Sequence, residues 1–473
     1  MRSIEHIYIN GRFVIPAGTE WLDIIRPADG SVIGTARLAN ETDALQAIAA
    51  AKAAFPAFAG YSVAQRLALL ESMFHALQQC EEELHEAVRE EYGAPSSRSQ
   101  WMATYPADVI KQVMTELQTY PFQQQAGRAR VQMLPLGVAG LITPWNSNAG
   151  FICHKLATAI AAGCTTVIKP SEFSILQTEV VTRALDRAGL PPGVFNIVTG
   201  RGATVGHAIS TSPDVAKISF TGSTATGKAI LRSAADSFKR VTLELGGKSP
   251  TLILPDADAA RAAELAVQAG FINSGQACIA GTRILVPEQR KAEFERALTT
   301  AVQRQISGDP ADVSTTIGPM INQQQWERVQ HYIEMGTQQG ARLLAGGGGR
   351  PEPLTQGWYV KPTLFTDVRN DMRIAQDEIF GPVLSLLTYR DEKEAIAIAN
   401  DTQYGLSALV IGEDEARARQ VGEQILAGRV MINTLAHEPR APFGGFRSSG
   451  IGREMGQWGI TAYLEPRALT FAR

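Results

Sequence analysis

One cysteine of this chain sits in a setting suited to chemistry. Cys278 lies in Asn273-Ser-Gly-Gln-Ala-Cys-Ile-Ala-Gly281, a short glycine-bounded loop. An Ala-rich helical pattern over about residues 258–269 precedes it, and an apolar, strand-like run over 282–287 follows. Small neighbours leave such a thiol open to a cleft, and loops on a rigid scaffold are where reactive groups usually sit. A lone cysteine is more often a small buried hydrophobe, so the decision rests with the rest of the chain.

The other residues able to do chemistry gather where strands end. Five short β-rich runs cover residues 138–143, 165–169, 194–199, 217–221 and 241–245. Helical patterns lie between them at about 150–162, 174–189, 203–210 and 224–237. Strands alternating with helices predict a parallel sheet with right-handed crossovers. In such sheets ligands bind beyond the carboxyl ends of the strands. Those ends read Thr143-Pro-Trp-Asn146, Lys169-Pro-Ser-Glu172, Gly200-Arg-Gly202, Thr221-Gly-Ser223 and Glu244-Leu-Gly-Gly247. An amide, an ammonium, two Gly-rich turns and a carboxylate thus converge on one rim.

Each motif also has a plainer reading. Gly200-Arg-Gly-Ala-Thr-Val-Gly206 is one residue longer than the usual dinucleotide fingerprint and can be a tight strand-to-helix turn. Gly222-Ser-Thr-Ala-Thr-Gly-Lys228 nearly matches a nucleotide phosphate loop, but Ala229 stands where a magnesium-binding hydroxyl is required. A helix start at Ser223 could still face an anion. Lys169 can be a snorkelling edge lysine, Glu244 a salt-bridge partner, Glu378 a helix-end acid, and Asn146 a turn-forming residue.

A second α/β series follows Gly247. Its strands are expected at about 251–254, 282–286, 382–389, 408–411 and 429–433, and its helices near 289–306, 322–339, 391–400 and 413–427. Ahead of both series, residues 1–36 read as short strands, with Asn10-Gly11 as a hairpin turn. Residues 41–92 and 98–120 read as helical. After a Pro- and Gln-rich break, 128–134 reads as an exposed strand, and 468–472 as a last strand-like segment.

At 473 residues the chain is long for one domain, and 45% hydrophobic content supplies ample core. A net charge of −3 gives no reason to expect a nucleic-acid or membrane-surface partner. No run of 18 apolar residues spans a membrane, and the N-terminus lacks a signal-peptide core. Four cysteines (Cys80, Cys153, Cys164, Cys278) show no metal spacing and are too sparse for a disulfide framework. The expected compartment is a reducing cytosol.

Taken in order, the motifs resemble the aldehyde dehydrogenase superfamily: Pro144-Trp-Asn146, Lys169-Pro-Ser-Glu172, Phe220-Thr-Gly-Ser223, Glu244-Leu-Gly-Gly-Lys-Ser-Pro250, Gly275-Gln-Ala-Cys278, Glu378-Ile-Phe-Gly-Pro382 and Pro442-Phe-Gly-Gly445. The resemblance covers nearly the whole chain. It implies an α/β fold with a Rossmann-like parallel-sheet cofactor domain (residues 1–117 and 135–245), a second α/β catalytic domain (246–445) and a small β oligomerisation element (118–134 and 455–473). A homodimer or homotetramer is expected, since exposed strand edges need partners.

The resemblance also implies roles. Cys278 would attack an aldehyde as a thiolate, and the Asn146 amide with the Cys278 backbone N–H would hold the oxyanion, a preorganised donor being worth roughly 3–4 kcal/mol. Hydride would pass to a nicotinamide, and Glu244 would activate water against the resulting thioester. Glu454 matches a family acid assigned to proton relay. No metal is needed. Trp145, Lys169, Ser171, Glu172, Gly202, Gly222, Ser223, Gly246, Glu378 and Phe380 match cofactor-binding positions. The Glu172 carboxylate accepts from a ribose 2′-OH and repels a 2′-phosphate, which favours NAD over NADP. Glu244 also argues for water over coenzyme A as the acyl acceptor; the alternative is a CoA-dependent acylating semialdehyde dehydrogenase.

Departures from the family pattern fall where the aldehyde would bind. Ser147 and Asn148 replace an aromatic residue and a proline, and His154 replaces a tryptophan or arginine. His437, Glu438 and Arg440 precede Pro442-Phe443 where apolar residues are common. His154, His437, Arg440 and Phe443 are therefore the expected substrate contacts. A polar tunnel suited to a hydroxylated or carboxylated aldehyde is one expectation; a solvent-facing rim is the other.

Overall fold

In the computed structural model, which describes residues 2–471, the alternation of strands and helices builds an α/β chain around two large sheets. The first has eight strands. Its centre is parallel, in the order Arg240–Glu244, Val215–Thr221, Val138–Ile142, Thr165–Lys169, Phe195–Ile197. Val138–Ile142 and Thr165–Lys169 are buried at every residue, as strands covered on both faces must be. Period-two alternation sends Leu141 and Ile168 into one apolar layer and Val138, Ile142 and Val167 into the opposite one. Ile7–Ile9 and Arg12–Val14 extend one edge as an antiparallel hairpin. Asn10 and Gly11 turn it at φ 52° and 76°. At the other edge Gly450–Ile451 returns from near the C-terminus and pairs antiparallel with Leu243 and Glu244.

The second sheet has seven strands, in the order Arg342–Ala345, Thr363–Thr366, Val383–Tyr389, Arg283–Pro287, Pro250–Ile253, Ser407–Ile411, Arg429–Ile432. Only the Arg342–Ala345 pairing is antiparallel. Leu252, Leu285, Leu387 and Val410 fill one side, and Ile253, Ile284, Leu386 and Leu409 the other. Outside both sheets, Gln123–Ala126, Ala129–Pro135 and Leu464–Thr470 form an antiparallel ribbon. A further small sheet joins Arg2–Ile4, Val32–Arg37 and Trp21–Ile25.

Several expectations shift. The helical stretch over 41–92 is three helices, Glu41–Phe58, Val63–Gln78 and Glu81–Glu91. Asn40 and Ser62 close capping boxes at the first two starts, and these caps set the breaks. The Gln-rich break holds a strand, Gln123–Ala126, because Gly127 at φ 57° folds it onto Ala129–Pro135. Arg342–Ala345 and Thr363–Thr366 were not expected as strands. The helix expected to run to residue 427 stops at Gly422. The last strand begins earlier than expected, at Leu464; residue 472 of that expectation lies outside the described residues.

Candidate active site

Cys278 is held in a loop whose shape is imposed from several sides. The helix Ala259–Phe271 ends, and Asn273, Ser274 and Gly275 follow at φ 56°, 58° and 75°. Two of these three left-handed residues are not glycine, at roughly 1–2 kcal/mol each, so surrounding contacts must hold them. Gln276 supplies several. Its Nε2 donates to the Pro319 carbonyl at 3.2 Å, and its Oε1 accepts from the Ile321 N–H at 3.0 Å. Asn273 Nδ2 donates to the carbonyls of Asn146 and Gln276, both at 3.1 Å. A β-carbon at Gly275 would collide with the backbone of Gly381, so the Gly275-Gln-Ala-Cys278 and Glu378-Ile-Phe-Gly-Pro382 segments interlock. Of the four cysteines, all unpaired, only Cys278 escapes full burial.

Gly246 and Gly247 are the meeting point of the two sheets' loops. A side chain at Gly247 would strike the Cys278 carbonyl oxygen, and one at Gly246 would strike the Glu378 carboxylate. The Gly247 N–H donates to Glu378 Oε1 at 3.1 Å. Burial pushes the Glu378 carboxyl up to about 7, against the pull of this N–H and of Arg328 and Lys248.

Glu244 ends its strand between Thr221 and Gly450, to which it is paired on either side. It is 2% exposed, and neither carboxyl oxygen has a hydrogen-bond partner among the described residues. Burial, with the nearby Glu454, lifts its pKa well above the usual carboxylate range. The Cys278 thiol is pushed up to about 12, by burial first and then by Glu378 and Glu244, while Arg429 opposes them. Both groups are thus held above their ordinary pKa values, and a carboxylate of raised pKa is a better proton acceptor than an ordinary one. Asn146, at the end of the Val138–Ile142 strand, donates from Nδ2 to the Gln276 carbonyl at 3.0 Å. That bond aims the amide into the cysteine loop.

Cys278, Asn146, Glu244 and Glu378 line one cleft of about 390 Å³ with Trp145, Gly222, Ser223, Gly246 and Phe380. Larger hollows, of about 510 and 680 Å³, lie elsewhere and contain no cysteine. Trp145 and Phe380 meet edge to face, with centroids 5.4 Å apart. Ser223 caps the helix Thr224–Ala235, accepting from the Thr226 N–H at 3.2 Å. Lys169, Ser171, Glu172 and Gly202 are outside this cleft's wall, at neighbouring strand ends of the same sheet. Lys169 Nζ donates to Glu172 Oε2 at 2.8 Å, and Arg201 approaches Glu172 at 3.9 Å. Ser171 Oγ accepts from the Phe173 N–H. Gly202 opens a π-helical turn, Gly202–Gly206, and is exposed.

Of the expected substrate contacts, His154 and Phe443 meet at Glu454, while Arg440 and His437 have other partners. His154 is buried, with Nδ1 3.8 Å from Glu454 Oε2, and burial drives its pKa down to about 4. Glu454 Oε1 accepts from Ser219 Oγ at 2.8 Å and from Lys155 Nζ. Burial alone would raise the Glu454 carboxyl, but Lys155, His154 and Ser219 outweigh it and hold the pKa below the ordinary value. Phe443 pairs its backbone with Glu454 through two hydrogen bonds. Arg440 points outward, its side chain 74% exposed, and reaches Glu116 Oε1 at 3.2 Å. His437 Nδ1 lies 3.4 Å from Arg429 Nη1. Asn148 is fully buried and ties Thr143 to Thr178.

Three residues of this region escaped the sequence reading. Lys155, alone in an apolar helical run, carried a signal, because an isolated buried lysine demands a partner. Gln276 stands within the Gly275-Gln-Ala-Cys278 motif but carried no role of its own, and Arg429 carried no signal that could be separated from ordinary strand composition.

The chain matches the family model described as "Aldehyde dehydrogenase family" over residues 13–469. It is similar to a crystallised aldehyde dehydrogenase C variant of Pseudomonas syringae, complexed with NAD+ and octanal. Identity is 42%, with 98% of this chain and 96% of that chain covered, at a TM-score of 0.97. A Bartonella henselae aldehyde dehydrogenase is 36% identical with both chains covered completely, at 0.97. A Mycobacterium tuberculosis aldehyde dehydrogenase complexed with NAD+ is 35% identical, covering 100% and 99%, at 0.96.

Proposed function

The chain belongs to the aldehyde dehydrogenase family, and from that premise we propose that it oxidises an aldehyde to a carboxylic acid with NAD+ through covalent catalysis at Cys278. The observation that carries this reading is the convergence of Cys278, Asn146, Glu244 and Glu378 on one cleft. Residues on its wall fit a dinucleotide. Gly246 is a position a β-carbon would fill, Gly222 and Ser223 open a helix whose free amides suit a pyrophosphate, and Glu378 offers a carboxylate to a ribose. Lys169, Ser171, Glu172 and Gly202 would extend that site toward the adenosine. The Glu172 carboxylate supports NAD+ over NADP+.

Bound NAD+ supplies a hydride acceptor. The protein's own residues do the rest. Glu244, directly or through one water, takes the Cys278 proton, and the sulfur adds to the aldehyde carbon. The Asn146 amide and the Cys278 N–H steady the oxyanion as it forms. Once the carbon is oxidised the sulfur holds an acyl group as a thioester. Glu244 then removes a proton from water, which adds to the thioester carbon and releases the carboxylate and the thiol. The buried Lys155–Glu454 pair acts on Glu244 through its charges, Glu454 raising the Glu244 pKa and Lys155 opposing it.

The eight-stranded sheet region is assigned to cofactor binding (1–117 and 135–245), residues 246–445 to catalysis, and the ribbon regions 118–134 and 455–473 to assembly as a dimer or tetramer. No described helix is long and apolar enough to cross a membrane; with four unpaired cysteines, a reducing cytosol is the compartment proposed. The test is NAD+ reduction over a panel of aliphatic, aromatic, hydroxylated and carboxylated aldehydes, with Cys278→Ala as the blank. Turnover lost in the variant supports the reading. Turnover that persists overturns the role of Cys278, and acceleration by coenzyme A with acyl-CoA as product would favour the acylating alternative.

A further inference from the structure

Arg429 stands close to the nucleophile and lacks an acidic partner. It opens the strand Arg429–Ile432, and its N–H donates to the Leu406 carbonyl at 3.1 Å. Leu406 and the Cys278 carbonyl both crowd the space beside Gly247, so the residue paired with Leu406 emerges next to the cysteine loop. The charge of Arg429 is felt at both Cys278 and the Tyr105 ring. The side chain is half-buried, and among the described residues no carboxylate lies within ion-pair distance of it. Its polar contacts are Nε to Ser407 Oγ and Nη1 to His437 Nδ1, both long at 3.4 Å. The buried Arg283, by contrast, is satisfied: it donates to the Lys248, Ile398 and Ala399 carbonyls and to Asn370 Oδ1.

A second unpaired guanidinium lies on the same side. Arg98, Trp101 and Tyr105 share one face of the helix Ser96–Thr119. Arg98 stacks 3.9 Å over Trp101, and Trp101 stacks on Tyr105 at 4.4 Å and 22°. Arg98 Nε is buried without a hydrogen-bond partner. The ladder ends against the helix after Asn146, where a β-carbon at Gly150 would lie 2.6 Å from Tyr105 Cδ1 and 3.2 Å from Ser147 Oγ. Both arginines act on Tyr105. Meanwhile His154 and Arg440, two of the four expected substrate contacts, are engaged with Glu454 and Glu116, and a third, His437, lies against Arg429 itself.

Half-buried, unpaired guanidinium groups are unfavourable unless an anion completes them. We propose that Arg429, with Arg98 at the other end of the aromatic ladder from Tyr105, binds a carboxylate at the far end of the aldehyde, so that the preferred substrates are ω-carboxylated semialdehydes. The inference rests on Cys278 being the nucleophile, because that fixes which end of the substrate carries the carbonyl. A planar guanidinium matches a carboxylate with two parallel hydrogen bonds. Arg429 already loses proton affinity to burial, which strengthens any charge pair formed there.

Two measurements test it. The first compares kcat/KM for 4-oxobutanoate against butanal and 5-oxopentanoate against pentanal, in the wild type, Arg429→Met and Arg98→Met. The wild type should favour the carboxylated partner by about tenfold or more, and Arg429→Met should reduce that ratio by a similar factor, chiefly through KM. The second alkylates Cys278 without cofactor, using iodoacetate and iodoacetamide, and reads the modified peptide by mass spectrometry. Relative to a free thiol, the wild type should favour the anionic reagent, and Arg429→Met should lose that preference. Equal ratios in wild type and variant, or a wild type that prefers alkanals, overturn the inference. Turnover without a carboxylate preference overturns this inference alone, whereas no NAD-linked turnover of any aldehyde overturns the dehydrogenase reading and this substrate class with it. The alkylation ratio is read from the wild type even if Arg429→Met fails to fold.

Discussion

Gly444 is the floor under Glu244: a β-carbon at Gly444 would lie 2.7 Å from Glu244 Oε1. Gly444 also sits at φ 152°, where side chains are rarely accommodated. Gly444→Ala should therefore push the carboxyl out of line while leaving the cleft's other wall intact. The expected result is a kcat reduced by about tenfold or more, with NAD+ affinity little changed. Stopped-flow kinetics and cofactor titration check this, and an unchanged kcat would dismiss the placement.

Glu244→Gln removes the base and keeps the shape. Turnover should drop by about 10²–10⁴-fold, with the acyl-enzyme accumulating on Cys278. Intact-mass measurement after quenching with acid should find the acyl adduct. A variant that loses turnover with no adduct would mean that Glu244 acts before acylation.

Asn146→Ala removes the oxyanion donor and also the bond to the Gln276 carbonyl. A rate loss of about 10²–10³-fold is expected. The thermal midpoint should fall only slightly, because the loop keeps its Pro319 and Ile321 bonds to Gln276. A large drop in midpoint would reassign Asn146 to holding the loop.

The pH dependence has a defined sign. Glu244 and Cys278 both have raised pKa values, so the reactive, deprotonated forms grow as pH rises. The value of kcat/KM should climb as pH rises above the ordinary carboxylate range and carry no acid optimum. The Glu244→Gln variant should shift the climb to higher pH. A profile that falls toward alkaline pH would contradict this.

His154 gives a stability prediction. Its folded pKa is depressed to about 4, so between that value and its ordinary value of 6.5 the unfolded chain binds more protons. Stability then rises with pH across that window and is lost on acidification through it. His154→Gln should flatten the slope of thermal midpoint against pH there, relative to wild type. An unaltered slope would show that other groups carry it.

Much of this architecture was legible because the strands of a doubly covered parallel sheet must be apolar throughout, and their ends must change abruptly to polar residues. Asn146, Lys169, Ser223 and Glu244 announce themselves that way. Gln123–Ala126 did not, since all four residues are exposed and its strand geometry comes wholly from its hairpin partner. The left-handed turn at Asn273 and Ser274 was equally silent, because neither is glycine and neighbouring loops impose it. The Lys155–Glu454 pair joins residues 299 positions apart. Arg429 reads as one more polar residue at a strand start; its lack of an acidic partner exists only once both sheets are assembled.

The buried setting of Cys278 has one more consequence. Peroxide attacks thiolates and largely spares thiols. With its pKa held up to about 12, the resting sulfur is almost entirely protonated at neutral pH. The three remaining cysteines are buried outright. The resting molecule should therefore endure oxidants that would rapidly inactivate a low-pKa cysteine enzyme, and damage should fall mainly on molecules caught in turnover.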